Sequence, residues 1–430
     1  MNDAFDVVDG AVLVRDGRIA AVGGQAEPEA VGAPSIDAGG GYLLPGLIQT
    51  HVHLCQTLFR GSADDMTLLD WLRRRIWPME AAHTETSLRV STRLAAAELL
   101  LSGTTTVLTM ETVHDTDVVF ETLEASGLRA TVGKCMMDAD AEVPPRLRER
   151  TSDSIRESDA LRLRWHGAAG GRLRAAFAPR FAVSCSRDLL EAVAALSSET
   201  GTLVHTHASE SRDEIKVVYE IAGMDNIEYL AATGLASERL CAAHCVWVDN
   251  RAQQILAEHR VNVLHCPGSN LKLGSGVAPV TELRARGIHV SLGADGAACC
   301  NSLDMFEQMR LAATLQAMRH GPGALTARDA LWMATREGAR ALGLEDQIGS
   351  IENGKRADFI VVNRDRAHLL PDADPYSSLV YAASGADVAL TVVDGHVLAR
   401  DRQLVREDLG VLAADAREQS AQLLAKAAVV

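Results

Sequence analysis

Residues 42–57 read YLLPGLIQTHVHLCQT. An apolar run ends in two imidazoles, His51 and His53, two positions apart. In a β-strand, side chains at i and i+2 leave the same face. If the run is a buried strand, both rings are aimed at one spot just where the strand ends. That is half of a metal site, and the other half has to come from elsewhere in the chain.

Away from this stretch the sequence has a rhythm. Short β-type runs at 42–53, 104–110, 128–134, 172–179, 202–207, 239–244, 261–265 and 288–294 alternate with longer segments. The amphipathic segments 87–103 and 186–201 each close on glycine, as a helix C-cap does. Strands separated by helices in this way imply an α/β fold, a TIM-like (β/α)8 barrel, because right-handed crossovers keep successive strands parallel. The chain ends read differently. Residues 5–24, 357–363 and 388–399 look like strands, with Asp-Gly hairpin signals at 16–17 and 394–395. They predict a small β-sandwich domain built from residues 1–45 plus 347–430, with a helix over 404–427 and a connector near 345–356. Residues 46–346 would form the catalytic barrel.

Composition narrows the partners. At 430 residues and 47% apolar the chain can bury a large core. A net charge of −15 argues against nucleic acid, whose phosphates need clustered Lys and Arg. No run approaches the roughly 18 apolar residues of a membrane span, and MNDAFDVVDG lacks a leader's basic and apolar regions, so a cytoplasmic enzyme is expected. The cysteines have no disulfide-like spacing, and neither Cys241/His244/Cys245 nor Cys299–Cys300 has the second pair a structural zinc site needs.

In a barrel of this kind the active site lies at the C-terminal ends of the strands. Those ends carry His51 and His53, Lys134, Arg180 just past the fourth strand, His205 and His207, His244, His265, and Asp295 just past the eighth. Six of the 14 histidines fall on one rim, which points to a metal there. His51, His53, a later histidine and Asp295 would leave a position for water, a set that suits one divalent cation, Zn2+ or Fe2+. His207 is preferred as the later histidine because Glu210 follows it by three residues, whereas His205 sits deeper and reads as a core histidine. His265 reads as a supporting group. Such a cation lowers the pKa of bound water to about 7 or 8, and hydrolysis then needs proton handling. Asp295 can accept the water proton, Glu210 can protonate a ring nitrogen and then the leaving ammonia, and His244 can hold the attacking water.

With those residues in place the chain resembles the amidohydrolase superfamily, in its branch of mononuclear aminohydrolases. The likeness runs through PGLIQTHVH (45–53), LLSGTTTV (100–107), HTHASE (205–210), AAHCVW (242–247), CPGSNLKLGSGVAPV (266–280), GADGAACCNSLDMFEQMR (293–310) and GSIENGKRADFIVV (349–362). That branch includes deaminases of methylthioadenosine and S-adenosylhomocysteine, 5'-deoxyadenosine deaminases, guanine deaminase and triazine hydrolases. The resemblance implies metal ligation by His51, His53, His207 and Asp295, and proton handling by Glu210 and His244. It also implies a small-molecule substrate and a homo-oligomer. WPME at 77–80 resembles a ribose-binding glutamate motif and maps that role to Glu80; APRF at 178–181 resembles guanine deaminases and maps purine binding to Arg180. Gln56 suits either base. The combination favours an adenosine-type nucleoside, with guanine, pterin or s-triazine chemistry (amine or chloride release) as the alternative. A binuclear amide hydrolase would need a bridging lysine, and only Lys134 stands at a strand end. A barrel that binds without turnover would have no use for Glu210 and His244.

Overall fold

The structure, a computed structural model, describes residues 2, 4–26, 30–139 and 142–428. A hairpin of β1 (Ala11–Arg15) and β2 (Arg18–Gly23) precedes β3 (Tyr42–Pro45). The barrel strands follow: β4 (Leu47–Val52), β5 (Thr104–Met110), β6 (Arg129–Met136), β7 (Leu173–Pro179), β8 (Val204–Ala208), β9 (Leu240–His244), β10 (Asn262–His265) and β11 (Val290–Leu292). After the barrel come β12 (Phe359–Val362), β13 (Val388–Val393), β14 (His396–Arg400) and β15 (Gln403–Leu404).

Strands β4 to β11 pair in chain order and every pair is parallel. Every residue of β4, β5 and β6 is buried, as expected of strands covered on both faces. The ends of this sheet meet: the Asp295 amide donates to the His51 carbonyl (3.0 Å) and the Thr50 hydroxyl to the Leu292 carbonyl (2.9 Å). Gly293 makes that approach possible, because a Cβ there would stand 2.6 Å from the His51 carbonyl oxygen. The expected eight-stranded barrel is therefore present and nearly closed.

The run 42–53 is two strands, not one. β3 joins the antiparallel sheet β15-β14-β13-β12-β3, and β4 starts the barrel. The chain crosses between them at Gly46, where a Cβ would lie 2.0 Å from the Thr105 hydroxyl. The N-terminal hairpin forms its own two-stranded sheet rather than extending the larger one. It shares a core with it, Ile19 packing among Ile351, Phe359, Val361 and Leu390. Residues 1, 3, 27–29, 429 and 430, all in the segments expected to form the small domain, lie outside the described residues. The C-terminal helix runs Leu409–Lys426 and packs on barrel helices 85–101 and 77–82, with Leu412, Ala416 and Leu423 buried and Ser420 bonded to the Leu58 carbonyl (2.9 Å).

Two devices secure the end of the barrel away from the histidines. Ile48, Leu108, Ala176 and Leu264 pack against Ala339, Leu342 and Ile348, which plug the bottom. Arg129 at the start of β6 makes a buried two-pronged ion pair with Asp358 (2.7 and 3.0 Å) and reaches Asp394 (3.1 Å), tying barrel to sheet. The helix over Glu85–Leu101 starts at a Thr84/Ser87 capping box, and that over Arg187–Thr200 starts at Ser186 and ends at Gly201, where φ is 69°. Among the described residues no helix is long and apolar enough to cross a membrane.

Candidate metal centre and catalytic site

His51 leaves the last turn of β4 and His53 stands just past it; β8 carries His207, and Asp295 follows β11. One ligand atom from each of the four lies within 4.8 Å of the other three. The closest separations are His53 Nε2 to Asp295 Oδ1 (3.2 Å), His51 Nε2 to the same oxygen (3.3 Å) and His53 Nε2 to His207 Nε2 (3.3 Å). A tetrahedral site with bonds of about 2.0–2.1 Å separates its ligand atoms by about 3.3 Å, the value these three separations approach.

The back of each ring explains its aim. His53 Nδ1 faces the Met110 carbonyl and His207 Nδ1 the Arg180 carbonyl, both at 2.7 Å. A carbonyl only accepts, so each Nδ1 carries the proton and each Nε2 keeps a free lone pair. His51 Nδ1 meets His205 Nε2 at 2.7 Å, which places His205 behind a ligand rather than among them. His51 Nε2 is buried and has no hydrogen-bond partner. Burial lowers the His51 pKa to about 4 and holds His207 well below the ordinary range; at His53 burial is outweighed by Asp295, which raises it. Neutral imidazoles are what a metal requires. Burial would raise the Asp295 carboxyl, but His51 and His53 override it and keep the group ionised. Ser269 and the Gly296 amide each bond Asp295 at 2.7 Å. The residues fit the cation on these counts.

Glu210 and His244 stand beside this cluster. His244 ends β9 in the left-handed region (φ 72°) and its Nδ1 bonds the Asn270 side chain (2.9 Å). Its Nε2 points inward without a hydrogen-bond partner, 3.5 Å from Glu210 Oε2 and 3.8 Å from Asp295 Oδ2. Glu210 receives the Ser275 hydroxyl (3.2 Å), and burial pushes its pKa up to about 7. A cavity opens over these groups, lined by His53, Gln56, Arg180, His207, Glu210 and Asp295 with an apolar wall that includes Trp71 and Phe181.

Other sequence expectations resolve differently. Lys134 points away from the cavity: its Nζ bonds Glu149 (2.6 Å) in the helical layer, so no lysine of β6 is available to bridge metals. Glu80 does not line the cavity. Its carboxylate is buried behind the wall, taking Arg180 Nη1 (2.5 Å) and Nη2 (3.2 Å) and the Gln56 amide (2.9 Å). His265 is buried outside the four-ligand group, with neither ring nitrogen hydrogen-bonded and its pKa lowered by burial to about 3. Sequence reasoning passed over Asn270, Ser269, Ser275 and Glu111, which hold the site from behind. Asn270 and Ser269 sit in the CPGSN stretch, the one local signal available.

Residues 42–398 match the amidohydrolase family. The chain belongs to that family. This amidohydrolase is a hydrolase acting on C–N bonds. It is 41% identical to a 5'-deoxyadenosine deaminase of Methanothermobacter thermautotrophicus over 94% of this chain and 92% of that one. It is 40% identical to a 5-methylthioadenosine/S-adenosylhomocysteine deaminase of Symbiobacterium thermophilum over 99% and 97%. Among solved structures it resembles an adenosine deaminase from Xanthomonas campestris with bound zinc, at TM-score 0.91 and 34% identity, covering 97% of this chain and 94% of that one.

Proposed function

We propose that this amidohydrolase is a metal-dependent deaminase that releases ammonia from an amino-substituted purine, an adenosine-type nucleoside of the 5'-deoxyadenosine, methylthioadenosine or S-adenosylhomocysteine kind. The observation that carries the reading is the placement of Glu210 and His244, two proton-handling groups with no ligation duty, against one wall of the four-ligand cluster. The 40–41% identity to relatives of those names supports the substrate class.

His51, His53, His207 and Asp295 would hold one divalent cation, zinc in this reading. When bound it supplies the Lewis acidity that makes water a nucleophile near neutral pH. His244 Nε2 lies between Glu210 and Asp295, where it accepts a hydrogen bond from the attacking water and steadies the charge that develops on it. Asp295 takes the first water proton. Glu210, with its raised pKa, carries a proton at neutral pH and gives it to the ring nitrogen beside the attacked carbon. The same carboxylate then takes the remaining water proton to the departing amine, leaving a ring carbonyl and ammonia, and the proton held by Asp295 returns Glu210 to its acid form.

A second reading has one observation in its favour. Glu80 is engaged by Arg180, and it is Arg180 and Gln56 that line the cavity. That arrangement suits recognition of the base more than of a ribose, as in a guanine or pterin aminohydrolase. Ammonia release measured over 5'-deoxyadenosine, methylthioadenosine, S-adenosylhomocysteine, guanine, pterins and s-triazines separates the two. The nucleosides should give the highest kcat/KM. Preference for guanine would install the second reading, and no ammonia from any of them would end both.

A further inference from the structure

We propose that Glu111 is a positioning residue for the metal centre: its carboxylate fixes the backbone turn that aims His53 and Gln56 into the cavity. This rests on the reading of His53 as a ligand. Glu111 directly follows β5, is 2% exposed, and has no part in the mechanism above. Its Oε1 accepts the Leu54 amide (3.2 Å) and its Oε2 the Cys55 amide (2.9 Å), and the Thr109 hydroxyl donates to Oε1 as well. Those amides open the short 3-10 helix Leu54–Phe59, whose N-cap residue, His53, provides no side-chain cap. A helix start leaves amides without partners, and here a carboxylate 56 and 57 residues away takes two of them. The neighbouring Met110 carbonyl holds His53 Nδ1 (2.7 Å), so the end of one strand grips both the backbone and the ring of the ligand. Gln56 lies inside the same turn, its amide bonded to the His53 carbonyl (3.2 Å).

Three donors converge on this carboxylate, and only a group with acceptors on both oxygens serves them. In Glu111→Gln one oxygen becomes an NH2, which meets a backbone N–H donor to donor. The turn then loses one of its two amide anchors while volume is kept. Supporting contacts of this kind are worth about 10–100-fold in metal affinity.

The test is zinc affinity, by competition with a chelator, of wild type, Glu111→Gln and His53→Ala, with amide hydrogen exchange of the metal-free proteins. Glu111→Gln should bind zinc about 10–100-fold more weakly. Its amides at 54–56 should exchange faster, and kcat should fall. A Glu111→Gln protein with wild-type zinc affinity and kcat and only a lowered Tm would overturn the proposal, since a purely structural role predicts that pattern. If that variant does not fold, Glu111→Asp, which keeps the charge but shortens the reach, decides by the same readouts. Unaltered zinc binding in His53→Ala would instead remove the ligand assignment beneath it.

Discussion

The two ends of the barrel are built on opposite rules. At the C-terminal rim, buried polar atoms lack partners: His51 Nε2 and His244 Nε2 are both unbonded. Left-handed backbone occurs at the rim, at Ser209 (φ 52°), His244 (φ 72°), Cys245 (φ 46°) and Asp295 (φ 69°), and also at Arg260 (φ 52°) and Asp394 (φ 53°) away from it. At the other end an apolar plug closes the strands, and the buried charge of Arg129 is matched by Asp358 and Asp394. Unpaired groups and strained backbone each cost free energy, and at the rim they stand among the groups proposed to do chemistry. The Arg129 group ties barrel to sheet, as the buried Arg180–Glu80 pair ties the wall of the rim.

Substitutions at the two ends should therefore break different things. Glu210→Gln should lower kcat by about 10²–10⁴-fold, because it removes the proton carrier and little else, while Tm and metal content stay near wild type. Retained turnover would remove Glu210 from the mechanism. Arg129→Ala should do the reverse. Stranding Asp358 in the interior should cost about 3–5 kcal/mol, read by urea unfolding, with kcat of the folded protein unchanged. A loss of kcat without a loss of stability would contradict the division between the ends.

A smaller effect should appear in acid. His83 is buried behind the Cys55 carbonyl, and burial lowers its pKa from 6.5 to about 4. Between these values the unfolded chain binds the proton and the folded one does not, so this contribution is complete above about pH 6.5 and is lost as pH falls towards 4. The loss reaches about 3 kcal/mol, and His83→Gln should flatten that part of the stability profile. Smallest of all, Glu80→Ala should free Arg180 and raise KM for nucleosides and free bases alike, about tenfold by steady-state kinetics. An increase confined to nucleosides would return Glu80 to a direct ribose contact.

The barrel was legible in sequence because its strands are buried on both faces and read as apolar runs set off by glycine-capped helices. The break at Gly46 was not, since apolar residues continue through it and only the Thr105 side chain, 59 positions away, shows why a glycine stands there. The separate N-terminal hairpin was hidden for a similar reason: shared burial and a shared ladder look the same in a hydrophobic pattern. The convergence of His51, His53, His207 and Asp295 was legible because each stands at or just past a barrel strand's C-terminal end, and His51 and His53 share a strand face. The roles of Glu111 and Asn270 and the pairing of Glu80 with Arg180 were not legible because they lie in contacts 26 to 100 residues apart.

Metal content of the purified protein, measured per chain alongside His53→Ala, bears most directly on the four-ligand centre. One divalent cation per wild-type chain, with loss of metal and of ammonia release together in the variant, is the predicted result. Two cations per chain, or full activity in protein stripped of metal, would contradict it.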